Sequence, residues 1–193
     1  MTLLWIIIVA AAIIAGVAVS IYNKLVRMRN TVRSSWSDID VQLKKRYDLV
    51  PNIVEAVKGY ASHERSLFEK VTEARSRAIH ATGPVETAKA ENLLRDSLKS
   101  LFAVAEAYPD LKANQNFLQL QTQLKEIEDN IESARRYYNA VTRDYNTAIE
   151  QFPSNLVASQ FKFERSEFFE LETPDVERKA VKESRKYLDD ANQ

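Results

Sequence analysis

The sequence predicts an all-α fold, an N-terminal transmembrane helix continuous with a long-helix, coiled-coil-like antiparallel bundle. Three observations carry that expectation. From Leu3 to Tyr22, LLWIIIVAAAIIAGVAVSIY, there is no charge, which matches the roughly 20 apolar residues a helix needs to cross a bilayer. Beyond this stretch apolar residues recur at steps of three and four, the period of one buried helix face. Finally, 193 residues include only three glycines and five prolines, and β-branched runs bounded by turn signals are missing outside the apolar stretch, so sheets have little support.

Taken in order, residues 1–22 read as a transmembrane anchor. A secretory signal peptide is the rival, with Ala18 and Ser20 imitating a cleavage site, but the apolar run exceeds the usual apolar core of roughly 7 to 15 residues and nothing basic precedes it except the α-amino group. Lys24, Arg27, Arg29 and Arg33 follow the anchor with no acid among them. The positive-inside rule then places the body in the cytoplasm and the amino terminus outside, with anionic headgroups beside the basic cluster.

Residues 23–161 read as the long-helix bundle. Leu25, Met28, Val32, Trp36, Ile39, Leu43, Tyr47, Val50, Val54, Val57 and Ala61 form the first stripe, and no Gly or Pro lies between Gly16 and Pro51. Nothing there marks a flexible linker, so anchor and first helix are expected to be one rod. Pro51 costs an interior helix about 3 kcal/mol or more. The stripe runs through it in register, which predicts a kink; a restart N-capped by Asp48 is the alternative.

In ATGPVE, Gly83 suits a helix C′ position and Pro84 the first turn of the next helix. That second helix carries Leu94, Leu98, Leu101, Ala105 and Tyr108, and stops before Pro109. The third is the clearest: Phe117, Leu120, Leu124, Ile127, Ile131, Ala134, Tyr138, Val141, Tyr145, Ala148 and Phe152 keep an average period near 3.5, which favours coiled-coil-like packing. SNLVASQF reads as a short helix. Residues 162–193 read as a charged C-terminal segment, locally acidic at first, in which Thr173 caps and Pro174 opens a terminal helix.

Length arithmetic adds a partner. With the first helix running to Ala81, its top stands about 90 Å above Tyr22, and a second helix descending from there ends about 35 Å lower, at Pro109. The stripe Leu25, Met28, Val32, Trp36, Ile39 and Leu43 then lacks a partner in the chain, unless Pro109 is also a kink or the C-terminal tail folds back. An unpaired seam beside the membrane predicts a homo-oligomer.

The chemistry the sequence excludes is broad. With no Cys there are no disulfides, thiolate nucleophiles or Cys-based metal sites. His63 and His80 lack a carboxylate three residues earlier, as a di-iron bundle requires, and Gly16, Gly59 and Gly83 stand alone, so no phosphate-cradling loop exists. Basic and acidic residues balance at 27 each, which leaves no whole-chain field for nucleic acid. No catalytic residue, cofactor or metal is expected. Tyr138-Asn139 and Tyr145-Asn146 repeat at heptad spacing; the favoured role is tyrosines in the seam with asparagines hydrogen-bonding at its edge, against a ligand box. Phe161, Phe163, Phe168 and Phe169 either pack on the bundle or dip into lipid or a partner.

Three stretches, YNKLVRMRNTVRSSWSDIDVQLKKRYDLVPNIVEAVKGYASHE from Tyr22, AEAYPDLKANQNFLQLQTQL from Ala105 and ARRYYNAVTRDYNTAIEQFPSNLVA from Ala134, together resemble the LemA family of bacterial membrane proteins. The resemblance covers nearly the whole chain apart from the charged tail. It implies a single-pass inner-membrane protein, amino terminus outside, with a cytoplasmic long-helix bundle and no established catalytic activity. RSSWSDID departs from the Ala the family often shows before Trp, and the tail is unusually charged. The expected role is a membrane-anchored, self-associating helical scaffold that organises membrane or protein partners; the alternative is a monomeric adaptor that recruits a cytoplasmic client or regulates a neighbouring membrane protein. The expected partners are the membrane, further copies of the chain and an unspecified protein.

Overall fold

The computed structural model describes residues 1–170. Six helices follow one another: α1 (Thr2–Lys58), α2 (Arg65–His80), α3 (Gly83–Ala105), the single turn α4 (Pro109–Lys112), α5 (Gln115–Glu150) and α6 (Ser154–Gln160). Residues 163–170 have no helical or strand structure, and no strand occurs among the described residues. The chain is an all-α bundle built on a long N-terminal apolar helix.

Anchor and bundle share one helix. α1 is 57 residues long, about 85 Å, and its N-terminal part is long and apolar enough to cross a membrane, with none of that window buried. Pro51 lies inside α1, half-buried, and the helix continues to Lys58; it does not restart at Asp48. Leu49, Val50, Ile53, Val54 and Val57 are all buried around the proline. At about 1.5 to 3 kcal/mol each, their burial outweighs a cost of about 3 kcal/mol.

α1 does not run on to Ala81. Gly59 caps it, and the N–H groups of Tyr60 and Ala61 both bond the Val57 carbonyl, at 3.0 and 2.9 Å, closing a turn before α2. Apolar periodicity is blind to this turn, because Val57, Ala61, Phe68 and Val71 are buried on both sides of it in helical spacing. Gly83 is likewise displaced from its expected role: α2 ends at His80, Ala81 is its C-cap, and Gly83, with φ 76°, opens α3.

That turn reverses the direction of every later helix. α2 returns beside α1, where the Arg75 Nε donates to the Tyr47 carbonyl at 2.7 Å. α3 then climbs and α5 descends antiparallel to α1, with Arg46 meeting Glu128 and Trp36 meeting Tyr138. The 36 residues of α5 reach about 54 Å, the same length as α1 from Asn23 to Lys58. α5 therefore passes the whole lower rod.

The expected unpartnered seam is thus corrected. Leu25, Val32, Ile39 and Leu43 are buried within this one chain, in a cluster with Ile131, Tyr138, Tyr145, Ala158, Phe163 and Phe169, while Met28 and Trp36 are half-buried against it. A second cluster, from Leu49 to Leu124, fills the upper bundle. Phe163 and Phe169, at the start of the C-terminal segment expected from residue 162, belong to the lower core. The terminal helix expected from Thr173 lies outside the described residues.

Candidate functional site

The lower bundle is closed by a clamp built from α5. α6 ends with Lys162 in the left-handed region, φ 53°, a conformation that costs an L-residue about 1 to 2 kcal/mol. The Phe163 N–H bonds the Ala158 carbonyl at 2.9 Å and the Lys162 N–H the Ser159 carbonyl at 3.3 Å, the paired bonds of a Schellman ending. Phe163 and Ala158 are buried together, which accounts for the tolerated strain. The chain leaves this turn as a strap along the groove between α1 and α5.

Two Tyr-Asn pairs hold the strap by its backbone. The Tyr145 hydroxyl donates to the Glu164 carbonyl at 2.9 Å and the Tyr138 hydroxyl to the Glu167 carbonyl at 2.7 Å. Asn146 donates to the Ser166 carbonyl and accepts from the Ser166 N–H, both at 2.9 Å; Asn139 does the same with Phe169, at 3.1 and 3.0 Å. The repeat has a geometric cause: seven helical residues advance about 10.5 Å and three extended residues about 10 Å, so a heptad of helix measures out three residues of strap. Burial pushes both tyrosine hydroxyls above their ordinary range, with Arg29 and Arg33 opposing at Tyr145. They remain protonated donors.

The clamp touches only main-chain groups of the strap and is indifferent to its sequence. Selectivity comes from the aromatic ends. Phe169 packs edge-on to Trp36 with ring centroids 5.4 Å apart, and Phe163 lies under the Arg29 guanidinium at 4.9 Å. Of the two roles weighed for the Tyr-Asn pairs, the structure places both tyrosines in the seam and Asn139 at its edge, while Asn146 is buried with the tyrosines; the strap as their partner was not legible from spacing alone.

Above the clamp an ionic network centred on a buried pair joins three helices, its α5 member Glu128 being exposed. Arg46 of α1 is 3% exposed and Glu91 of α3 1%; they pair at 2.8 Å, and Arg46 also reaches Glu128 of α5 at 3.2 Å. The Tyr47 hydroxyl donates to the other Glu91 oxygen at 2.7 Å. Burial pushes the Glu91 carboxyl above the usual Glu range, with Arg46 and Tyr47 pulling the other way. Burial, together with the Glu91 charge, drives the Tyr47 phenol far up. A cavity of about 410 Å³ beside the network is lined by Asp40, Tyr47, Asp48 and Thr87 among others, but not by Glu91. Both Glu91 oxygens are engaged, so its geometry is that of a helix cross-link. Sequence reading missed Arg46 and Glu91, although each carried a signal: a charge at a stripe position, Arg46 between Leu43 and Val50, Glu91 between Ala88 and Leu94.

The remaining sequence-singled residues are dispersed. Lys24, Arg27 and Arg33 are exposed beside the end of the apolar span, while Arg29 is half-buried. His63 and His80 are exposed and far apart, His63 in the turn after α1 and His80 at the end of α2. Among the described residues no three His, Cys, Asp or Glu side chains group closely enough to hold a metal ion. Phe161 remains 56% exposed with its ring 4.7 Å from that of Tyr22.

The sequence profile of the LemA family matches residues 35–183. Protein LemA of Metamycoplasma hominis is 30% identical over 162 residues, spanning 80% of this chain and 73% of that protein. Magnetosome protein MamQ 2 of Paramagnetospirillum magneticum is 28% identical over 175 residues, and magnetosome protein MamQ of Magnetospirillum gryphiswaldense 26% over the same length. In both magnetosome relatives the match covers 77% of this chain and 64% of theirs.

Proposed function

The chain belongs to the LemA family, and from that premise and the geometry of its rod we propose a non-catalytic, membrane-anchored helical adaptor that is complete as a single copy. Its bundle faces stand at a set distance from the membrane for a protein partner, which the charged C-terminal segment recruits. The observation that supports this reading is the sheathing of Leu25, Val32, Ile39 and Leu43 by the chain's own α5 and strap, which takes away the reason to expect self-association through that face. The basic residues Lys24, Arg27 and Arg33 beside the span favour a cytoplasmic body facing anionic headgroups and an outside amino terminus, as in an inner membrane.

Native mass spectrometry of the full chain in mild detergent is expected to return a monomer at micromolar concentration. Discrete oligomers there would restore the self-associating scaffold in its place. Removing residues 173–193 is expected to abolish recovery of a cross-linked partner from membranes while leaving the chain a monomer. Unchanged recovery removes the adaptor role.

A further inference from the structure

The base of the bundle exposes apolar side chains at the level where the apolar span ends. Phe152 is 79% exposed, Leu156 60% and Phe161 56%. Phe152 lies in the turn after α5 and Phe161 in the turn after α6. The α1–α5 register that sets Arg46 against Glu128 and Trp36 against Tyr138 brings the end of α5 to the height of Tyr22. Tyr22 in turn stacks on Phe161, with centroids 4.7 Å apart. The opposite side of α6 is satisfied, since Ala158 is buried and Val157 packs against the lower core.

We propose that this base is a foot, a second lipid contact in which Phe152, Leu156 and Phe161 enter the headgroup–acyl boundary of the bilayer that α1 crosses. The proposal rests on the reading of α1 as a membrane anchor, and the occupant follows from continuity with that span. Aromatic and leucine side chains flanked by cations, with the apolar side 5 to 10 Å deep at most, are the chemistry of an interfacial segment. The cations are present: Lys24 and Arg27 on α1 and Lys162 after α6 are exposed at the same level. The consequence is mechanical. A helix that crosses a bilayer alone is free to rotate about its axis, whereas a span plus a lateral foot fixes which face of the rod turns toward the surface.

The chain has no cysteine, so single cysteines report one site each. Full-length Val9→Cys, Leu156→Cys, Phe161→Cys and Leu118→Cys variants carry an environment-sensitive fluorophore. They are reconstituted into phosphatidylcholine–phosphatidylglycerol vesicles with and without a lipid spin-labelled near the headgroup. Leu118, 46% exposed in the first turn of α5, is the distant apolar control. The expected result is quenching at Val9, and at both Leu156 and Phe161 a loss of fluorescence roughly three times that at Leu118 or more. Quenching at Val9 with fewer than both base positions above Leu118 overturns the foot and leaves the anchor standing. A blue-shifted but unquenched base label means protein covers the site, and also overturns it. No quenching at Val9 overturns the anchor reading and the foot together.

Discussion

Arg46 decides more at the level of single residues than any other side chain, because it carries a charge into a core, pairs there with the buried Glu91 and reaches out to the exposed Glu128. Removing one partner of a buried pair leaves the other unpaired, so Arg46→Ala is expected to cost about 3 to 5 kcal/mol in thermal or denaturant unfolding. Replacing Arg46 and Glu91 together by Met is expected to recover most of that loss, and additive costs would show that the pair is not the unit. The pH dependence has a definite sign. Folded Glu91 holds its proton more tightly than the unfolded chain does, so its share of stability is complete below the ordinary Glu value and is lost as pH rises through its raised folded value. Glu91→Gln removes that slope, and parallel stability–pH curves for the two proteins would contradict the assignment.

The strap is the element whose stability is balanced. Ordering residues 164–169 costs about 1 to 2 kcal/mol of backbone entropy each. Six hydrogen bonds at about 0.5 to 1.5 kcal/mol and two buried phenylalanines at about 1.5 to 3 kcal/mol offset a sum of the same size. Losing one clamp residue therefore releases the strap locally before it unfolds the bundle. Hydrogen exchange should speed up roughly ten- to hundredfold at the Ser166 amide in Asn146→Ala and at the Phe169 amide in Asn139→Ala. Protection left intact at both amides would mean the clamp contributes nothing. Here the sequence was half legible: the Tyr-Asn repeat stood out at its heptad spacing, but what it binds lies 20 to 30 residues away in the chain.

For the whole molecule, the absence of a joint between span and bundle sets the behaviour. α1 is continuous from Thr2 to Lys58, and above the apolar span its face from Leu25 to Leu43 is covered by α5, α6 and the strap. Limited proteolysis of the reconstituted chain should accordingly spare Asn23 to Arg33 although that stretch holds Lys24, Arg27, Arg29 and Arg33 as cleavage sites. Rapid cutting there under conditions that leave α5 intact would break the rod in two. With the foot in place, that rod would stand at a fixed rotation and height.

The apolar span, the all-α class and the bodies of α5 and α6 follow from the sequence, because helix period, proline placement and local charge are written within a few residues of where they act; the end of α5 does not, since Phe152, read as the last residue of its buried stripe, lies past Glu150 and is 79% exposed. Which way each helix runs is settled by the packed chain. One turn at Gly59 to Glu64, silent in the apolar pattern, sends α2 back instead of onward, and with it α5 comes down the lower rod. Direction depends on every preceding reversal, whereas periodicity reports each segment alone; that is why the stripe from Leu25 to Leu43 was read correctly as a buried face and its partner was not.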